Sequence, residues 1–315
     1  MGSKSGGYTH VAVGNLNLDI SVVLDEYPLE DSHVFARDSW IGLGGAATNY
    51  SVATARLGHK AYLVAKAGGD AVKLGLLDKL ASKGVRIEFV QVSASEPVGT
   101  VIVLLVPSRG TRTMVTIRGA NEKLSGRDVP YVDEANIYHF ASVRPAIINT
   151  LCSEPWWKSS FIASYDPGGE AYRQPHNVLE SLPCIDILMA NEREANTIAR
   201  AGGYASPKEL LQEGPRVVVV KRGEGGAVAH TPDSTIEARL LRAPHVIDVT
   251  GAGDAFDAAF NAWLLETGSV EIALRAAVSA GAAKVLRRGS ANMPSRSEVE
   301  SAMGGVALRV VAKSG

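Results

Sequence analysis

The sequence predicts an α/β fold with a mostly parallel sheet. Short β-rich runs at residues 9–13 and 61–65 flank a helical pattern at residues 46–57, and the same alternation continues through most of the chain. Such βα repeats favour parallel strands joined by helices. Two further β-branched runs, at residues 100–106 and 111–117, have no helix between them and predict a β-hairpin. We assign this hairpin to a second, smaller sheet.

The remaining elements complete one domain. Residues 34–41 form another predicted strand of the small sheet, and residues 71–83 a helix that ends at Gly84. We expect the domain to span residues 8–300, with small-sheet strands inserted at about 33–41 and 99–118, after a flexible tail at 1–7. The other predicted elements are strands at 137–141, 161–165, 185–189 and 217–221, and helices at 255–265 and 272–286.

Composition excludes several classes of protein. The 315 residues carry a formal net charge of -1 and contain no basic block, which argues against a nucleic-acid-binding surface. No run of about 18 apolar residues occurs, so we expect no membrane span and a cytoplasmic location. Cys152 and Cys184 lie far apart without a C-x-x-C pair, and we expect two unpaired, buried small hydrophobic side chains.

A glycine-rich segment, DVTGAGDAF at residues 248–256, follows a β-rich run at 245–249 and precedes a helical pattern. Gly251 and Gly253 lack a Cβ, so the backbone can turn tightly there and approach a ligand. A helix N-terminus favours an anion, and Asp254 beside such a site could accept a proton from an attacking hydroxyl. An ordinary glycine turn with Asp254 as the helix N-cap explains the segment equally well.

A second glycine-rich segment, GLGGAATN at residues 42–49, also opens a helix. Its G-x-G-x-x-A pattern resembles a dinucleotide-binding fingerprint, which should follow the first strand of a βαβ unit and precede an acidic residue by about 20 positions. Residues 61–69 contain neither Asp nor Glu, and the preceding strand belongs to the small sheet. The better interpretation is that these glycines let a ligand hydroxyl approach the start of the helix.

Two further segments follow predicted strands. Asn191 and Glu194 have the spacing of a capping box, which is the favoured local interpretation, although both could lie near phosphates and magnesium. The segment KRGEGG at residues 221–226 provides a tight turn over which a nucleotide could lie, and a plain hairpin is equally compatible. The sequence contains no Walker A loop, no H-E-x-x-H and no G-x-S-x-G.

Taken in order, these segments resemble the ribokinase-like (PfkB) carbohydrate kinase family. The resemblance runs from Val11 to about Pro294 and implies a three-layer α/β/α core with a small β-sheet lid. Ala47 stands where the family's later glycine is usual. The matching residues are Gly44, Gly45 and Asn49 in the di-glycine substrate motif, Asp166 to Gly168 at a strand end, Asn191 and Glu194 in the N-x-x-E motif, Lys221, Gly223 and Gly226 in the nucleotide loop, and Gly251, Ala252, Gly253 and Asp254 in the G-A-G-D signature.

The resemblance implies a reaction. ATP would donate its γ-phosphoryl group to a substrate hydroxyl, with Asp254 as the base and the N–H groups of residues 251–254 as the anion hole. Asp19 and Asn49, together with the di-glycine motif, would bind the substrate's hydroxyl groups. The lid would close over the substrate and exclude water.

The resemblance also implies cations. Asn191 and Glu194 would organise Mg²⁺ and phosphate, with Glu194 acting through water. Asp248 and Thr250 match positions at which some family members hold a monovalent cation such as K⁺ through backbone carbonyls. Such an ion would order the anion hole.

The sequence leaves the acceptor open. Asp19 and Asn49 suit neutral hydroxyls, which favours a ribose-like sugar or a nucleoside. Arg109, Arg112 and Arg118, in or beside the predicted hairpin, could instead clamp the phosphate of ribose 1-phosphate or fructose 6-phosphate, and Arg118 is the best placed. A solvated surface explains these arginines equally well.

Two other classes compete with a kinase. A sugar-binding regulator could keep the fold without catalysis, but the presence of Asp254, Asn191 and Glu194 argues against it. A nicotinamide-dependent dehydrogenase is disfavoured by the weak fingerprint at residues 42–49. If the protein is a kinase, we expect it to form a homodimer through the lid. Residues 101–105 are strongly apolar, and an open sheet edge needs a partner.

Overall fold

A computed structural model describes residues 7–109, 111–157 and 160–312, with the backbone alone at 111, 112 and 312. The strands are β1 Thr9–Gly14, β2 Asn17–Val23, β3 Asp38–Gly44, β4 Lys60–Gly68, β5 Val85–Arg86, β6 Val90–Ser93, β7 Gly99–Val106, β8 Thr111–Ile117, β9 Ile137–Ala141, β10 Ile162–Asp166, β11 Ile187–Asn191, β12 Val217–Lys221, β13 Ala227–His230, β14 Ser234–Leu240 and β15 Val306–Ala312. The α-helices are α1 Ala46–Arg56, α2 Gly69–Lys73, α3 Leu76–Ser82, α4 Pro145–Cys152, α5 Glu170–Arg173, α6 Pro175–Ser181, α7 Glu192–Ala201, α8 Ala252–Thr267, α9 Val270–Lys284 and α10 Arg296–Met303.

The large sheet confirms the predicted α/β class. Its strand order is β15-β14-β13-β12-β11-β10-β9-β1-β4-β5, with β6 also paired to β4. The strands from β12 to β5 run parallel, and β13, β14 and β15 add an antiparallel edge. Every residue of β1 and β9 is buried, as expected for parallel strands covered on both faces. Helices α1, α8 and α9 pack on one face and α4, α6 and α7 on the other, which makes three layers.

The parallel strands present their carboxyl ends at one edge of the sheet. Gly14 of β1 lies beside Ala141 of β9, which lies beside Asp166 of β10. Asn191 and Lys221 are paired at the ends of β11 and β12. Ligands of open α/β sheets bind in the crevice outside these carboxyl ends, so the fold brings the sequence motifs to the expected place.

The small sheet has four strands in the described part of the chain, in the order β3-β2-β7-β8. The hairpin of β7 and β8 was predicted, whereas β2 was not, because it follows β1 after only two residues and resembles its continuation. The strand expected at residues 34–41 instead covers Asp38–Gly44. Its pairing begins where Asp38 meets Val23, the last residue of β2, and residues 34–37 have no strand opposite them.

Three local predictions also change. The helix expected at residues 71–83 is divided into α2 and α3, because Gly75 adopts a left-handed φ of 65° between them. The β-rich run at 245–249 joins no sheet, and the N–H groups of Ile247 and Asp248 donate to the Val285 carbonyl instead. The large sheet continues past residue 300, since β15 pairs with β14.

The two cysteines are not unpaired. Cys152 ends α4, Cys184 precedes β11, and the two form a disulfide with their Cα atoms 5.7 Å apart. The expectation of two separate thiols is wrong because both segments pack on the same face of the sheet, although 32 positions separate them in the sequence. No helix within the described ranges is both long and apolar enough to cross a membrane.

Candidate active site

Asp254 lies in the first turn of α8. Gly251 is the N-cap of this helix and has a left-handed φ of 81°, so Asp254 is not the N-cap and that simpler explanation of the motif is wrong. A Cβ on Gly251 would overlap the Ser290 carbonyl oxygen, which restricts the position to glycine. The first N–H groups of a helix have no partner within it, and the helix dipole favours an anion there. The start of α8 therefore has the properties of an anion hole.

The carboxylate of Asp254 is held by one neighbour. Asn49 Nδ2 on α1 donates to Asp254 Oδ2 at 2.7 Å. Burial raises the pKa of Asp254 to about 7, and the negative charges of Asp166 and Asp19 also raise it. The hydrogen bond from Asn49 and the positive charge of Lys221 lower this pKa and so limit the rise. A carboxylate with a pKa near neutrality is suited to accept a proton from a hydroxyl.

Asp19 lies on the neighbouring wall, on β2. Gly44 is directly below it, and a Cβ on that glycine would overlap the Asp19 carboxylate. Ser290 donates to Asp19 Oδ2 at 2.8 Å. Burial raises the pKa of Asp19 to about 6, and the negative charge of Asp248 also raises it. The hydrogen bond from Ser290 acts in the opposite direction and lowers it. Gly45 is the N-cap of α1 and has a φ of 95°. Its backbone packs against the Asn15 carbonyl so closely that a Cβ would overlap it.

Asp19, Gly45, Asn49 and Asp254 line one cavity of about 390 Å³. Asp19 Oδ1 and Asn49 Oδ1 are among the buried side-chain atoms that have no hydrogen-bond partner in the described part of the chain. Buried acceptors are rarely left unpaired, since each costs free energy. Both residues line the cavity together with Asp254, so a ligand with hydroxyl groups would satisfy them beside the carboxylate.

The small sheet forms the opposite wall. Val101 and Val103 on β7 and Met114 on β8 give it an apolar surface. Arg118, immediately after β8, also lines the cavity, as the sequence suggested for a clamp. Its guanidinium already pairs with the buried carboxylate of Glu170, with Nη2 and Oε1 2.7 Å apart.

Of the other two arginines of the proposed clamp, the structure describes the side chain of Arg109. Arg109 is exposed and lies outside the cavity lining. The side chain of Arg112 falls outside the described residues. Arg118 is therefore the member of the group that the structure brings to the cavity.

Lys221 is buried beneath the anion hole. Its Nζ lies 2.6 Å from Asp166 Oδ2 and 3.0 Å from Asp257 Oδ1. A Cβ on Gly253 would be 3.5 Å from the same nitrogen. Burial acts to lower the pKa of Lys221, but the two carboxylates outweigh it and raise the pKa above its ordinary value. Lys221 is therefore a buried ammonium under the start of α8 that is paired with two carboxylates, a place that its match to the nucleotide loop did not predict.

The N-x-x-E motif forms the predicted capping box. Asn191 Oδ1 accepts from the Glu194 N–H at 3.0 Å, and the Asn191 N–H donates to Glu194 Oε2 at 2.9 Å. Glu194 is buried, and burial together with the charge of Asp166 raises its pKa. One carboxylate oxygen of Glu194 is committed to the cap, so the other remains to meet a hydrated cation.

The turn after Lys221 is the hairpin between β12 and β13. Gly226 has a φ of 82°, and a Cβ there would overlap the Ala238 carbonyl, so this glycine is required by the fold. Gly223 has a φ of 56° and open space around its Cα. Space above Gly223 leaves room for a flat ligand group against the backbone.

The described ranges contain no cluster of three or more His, Cys, Asp or Glu side chains able to hold a metal ion. Glu194 in the first turn of α7 and Asp166 at the end of β10 are hard oxygen donors at the same edge of the sheet. Mg²⁺ usually keeps several waters and uses one or two carboxylates together with substrate phosphates. The site therefore fits Mg²⁺ that arrives with a nucleotide.

Sequence reasoning missed several residues of the site. Ser290 and Glu170 belong to no motif, and only the fold brings them to Asp19 and Arg118. Asp257 did carry a signal, since it follows Asp254 by three positions and such residues share a helix face.

The fold and the site are those of an enzyme that phosphorylates small molecules. The model of the pfkB family carbohydrate kinases matches residues 9–297. The chain therefore belongs to this family and is a carbohydrate kinase.

Relatives agree with this assignment. A ribokinase of Arabidopsis thaliana is 30% identical over 92% of this chain and 79% of its own length. An ATP-dependent ribose-1-phosphate kinase of Halopiger xanaduensis is 29% identical, covering 92% of this chain and 96% of its own. The structure of the Arabidopsis thaliana ribokinase complexed with ribose and ATP is 27% identical, with a TM-score of 0.79 over 95% of this chain and 99% of that one. The crystal structure of the Methanocaldococcus jannaschii nucleoside kinase has the same fold, with a TM-score of 0.85 and 21% sequence identity. The match covers 95% of this chain and 99% of that one.

Proposed function

We propose that this protein transfers the γ-phosphoryl group of ATP to a hydroxyl of a ribose-like sugar, with Asp254 as the general base. The observation that carries the proposal is the pair of buried, unpartnered acceptors, Asp19 Oδ1 and Asn49 Oδ1, in the cavity that Asp254 lines. Sugar hydroxyls would donate to both oxygens and bring a further hydroxyl to the base. A phosphate group in the same place would set negative oxygens against Asp19.

The proposed reaction uses the two oxygens of Asp254 differently. Asn49 holds Oδ2, which leaves Oδ1 to accept the proton of the substrate hydroxyl. As that proton leaves, the hydroxyl oxygen forms a bond to the γ-phosphorus, and the bond from the γ-phosphorus to the bridging oxygen breaks to release ADP. The N–H groups of residues 251–254 stabilise the charge on the transferred group.

The proposed nucleotide site lies along the ends of β11 and β12. Asn191, Gly223 and Gly226 would support the nucleotide, and Lys221 would face its phosphates through the anion hole. Glu194 would hold Mg²⁺ through water, and the ion, when bound, supplies positive charge to the phosphate oxygens. The donor set described above supports this assignment.

The small sheet is the proposed lid of a single domain. Its apolar residues Val101, Val103 and Met114 face the cavity, so they would cover the acceptor and keep water from the γ-phosphate. Met114 is half exposed. Closure over a ligand would bury it further, which favours the closed state when the acceptor is bound.

The acceptor is proposed from the balance of charges. Arg118 is paired with Glu170, so a phosphorylated acceptor would have to compete with a carboxylate that is 2% exposed. This favours a neutral sugar over ribose 1-phosphate or fructose 6-phosphate. A nucleoside is the second candidate, because the apolar wall of Val101, Val103 and Met114 would also suit a base.

Turnover across a panel tests the proposal. The panel comprises pentoses, hexoses, ribose 1-phosphate, fructose 6-phosphate and nucleosides, each with ATP and Mg²⁺. We expect a ribose-like pentose to give the highest kcat/KM. Turnover of a sugar phosphate alone would contradict the proposal, and sugar binding without any turnover would favour a regulator.

We further propose a homodimer formed through the lid. The face of the small sheet opposite the cavity carries a row of paired apolar residues, Ile41, Ile20, Ile102 and Val115 on adjacent strands. Ile41 is 64% exposed and Val115 is 50% exposed, and Ile117 extends the same face. An apolar sheet face with two open edges suits a second copy of the same chain.

A further inference from the structure

The side chain of Lys284, which carries an ammonium group, is buried inside the protein. It lies at the end of α9 with 0% of its surface exposed, an environment that lysine occupies only with compensation. Its Nζ donates to the Arg287 carbonyl at 3.3 Å, in the turn that follows the helix. Burial lowers the pKa of Lys284, while the carboxylates of Asp248 and Asp254 attract the ammonium and act in the opposite direction.

The turn that Lys284 holds is joined to the loop before the anion hole. The N–H groups of Ile247 and Asp248 donate to the Val285 carbonyl at 2.7 and 3.1 Å. The Gly289 N–H donates to Asp248 Oδ2 at 2.9 Å, and the other oxygen of Asp248 accepts from the Thr250 N–H. The two segments therefore form one hydrogen-bonded unit, with the ammonium of Lys284 beside it.

The same turn supports the catalytic residues. The Ser290 carbonyl lies against Gly251, where a Cβ would overlap it. The Ser290 hydroxyl donates to Asp19 Oδ2 and lies 2.7 Å from the Leu43 carbonyl. An ordered turn at residues 287–290 thus fixes both the start of α8 and the proposed acceptor site.

A monovalent cation at the carbonyls of Asp248 and Thr250, as the family resemblance implied, fits this arrangement poorly. The Lys284 Nζ already donates to the Arg287 carbonyl, in the turn whose Gly289 N–H binds the Asp248 carboxylate. A metal ion in this loop would meet a like charge in a buried, weakly screened place. The positive charge that such an ion would bring to this loop is already supplied by Lys284, through its contact with the Arg287 carbonyl.

We propose that the Lys284 ammonium is a built-in cation that orders the anion hole, so that this kinase needs no monovalent metal ion. Lys284 touches no reacting atom and acts through the turn, so it is a positioning residue. The proposal rests on the phosphoryl transfer proposed above.

The test compares two chloride salts, K⁺ and tetramethylammonium, at equal ionic strength with ATP and Mg²⁺ in excess. We expect the unmodified protein to turn over at rates within about twofold in both salts. Lys284→Ala removes the ammonium and leaves room for an ion, so its rate should fall at least tenfold in tetramethylammonium and recover several-fold in K⁺. Lys79→Met, on the exposed face of α3, is the control and should leave both rates unchanged.

Thermal unfolding gives a second readout that does not depend on activity. The midpoint of the unmodified protein should be the same in both salts, whereas that of Lys284→Ala should be higher in K⁺. If no acceptor is phosphorylated in either salt, the proposed function fails, and the midpoints still decide the role of Lys284.

Two results would overturn the inference: several-fold activation of the unmodified protein by K⁺, or full activity of Lys284→Ala in tetramethylammonium. If Lys284→Ala does not fold, the comparison of the unmodified protein in the two salts decides alone.

Discussion

Asn49 on α1 donates a hydrogen bond to Asp254 Oδ2 on α8 at 2.7 Å, across 205 positions of sequence. The oxygen of the same amide, Asn49 Oδ1, is buried without a hydrogen-bond partner in the described part of the chain, and Asn49 lines the cavity. One side chain therefore holds the proposed base and offers an acceptor to the substrate. The two functions are coupled, so a change at Asn49 should affect substrate binding and the pKa of Asp254 together.

Asn49→Ala tests this coupling. Loss of a hydrogen bond to a charged group costs roughly 1.5–3 kcal/mol, so we expect kcat/KM for the acceptor to fall on the order of 10- to 100-fold. The hydrogen bond from Asn49 lowers the pKa of Asp254, so the acidic limb of the pH profile should move to higher pH in the variant. Steady-state kinetics across pH would measure both effects. An unchanged profile would show that Asn49 does not hold the base.

The pH dependence of the unmodified protein follows from the same carboxylate. Burial raises the pKa of Asp254 to about 7, and a general base acts in its ionised form. We expect kcat/KM to be constant above pH 7 and to fall about tenfold per unit as the pH drops below it. Asp19, with a pKa raised to about 6, should steepen the fall at lower pH. A flat profile from pH 5 to 8 would contradict the assignment of the base.

Part of the fold and part of the site could be predicted from the sequence. The G-A-G-D string located Asp254 at a helix start, and the alternation of strands and helices predicted a mostly parallel sheet. Ser290 could not be predicted, because it reaches Asp19 across 271 positions through packing of the turn after α9. The disulfide of Cys152 and Cys184 and the strand β15 likewise depend on which segments share a face or an edge, and local patterns carry no information on that.

Arg118→Ala tests the nature of the acceptor. Arg118 pairs with Glu170, so its loss should leave KM for a neutral sugar within a few-fold of the original value. If the acceptor carries a phosphate that Arg118 binds, the same change should cost roughly 1.5–3 kcal/mol in kcat/KM. Arg109→Ala, on the exposed turn outside the cavity lining, is the matched control.

Val115→Asp tests the proposed dimer. A charge on the apolar face of the small sheet would be buried in the interface, which is costly without a partner. We expect the unmodified protein to sediment as a dimer at micromolar concentration and the variant as a monomer. Val115 is half exposed in the single chain, so the variant should keep its fold by circular dichroism. A monomer in both cases would exclude the lid interface.

The most direct test of the central claim is the kcat of Asp254→Asn. Asparagine keeps the size of the side chain and its hydrogen bond with Asn49 but cannot accept the proton. Loss of a general base costs on the order of 10²–10⁴ in rate, so kcat should fall by that factor while the affinity for ATP changes little. Asp78→Asn, at an exposed position of α3, controls for the substitution itself. A kcat close to that of the unmodified protein would contradict Asp254 as the base.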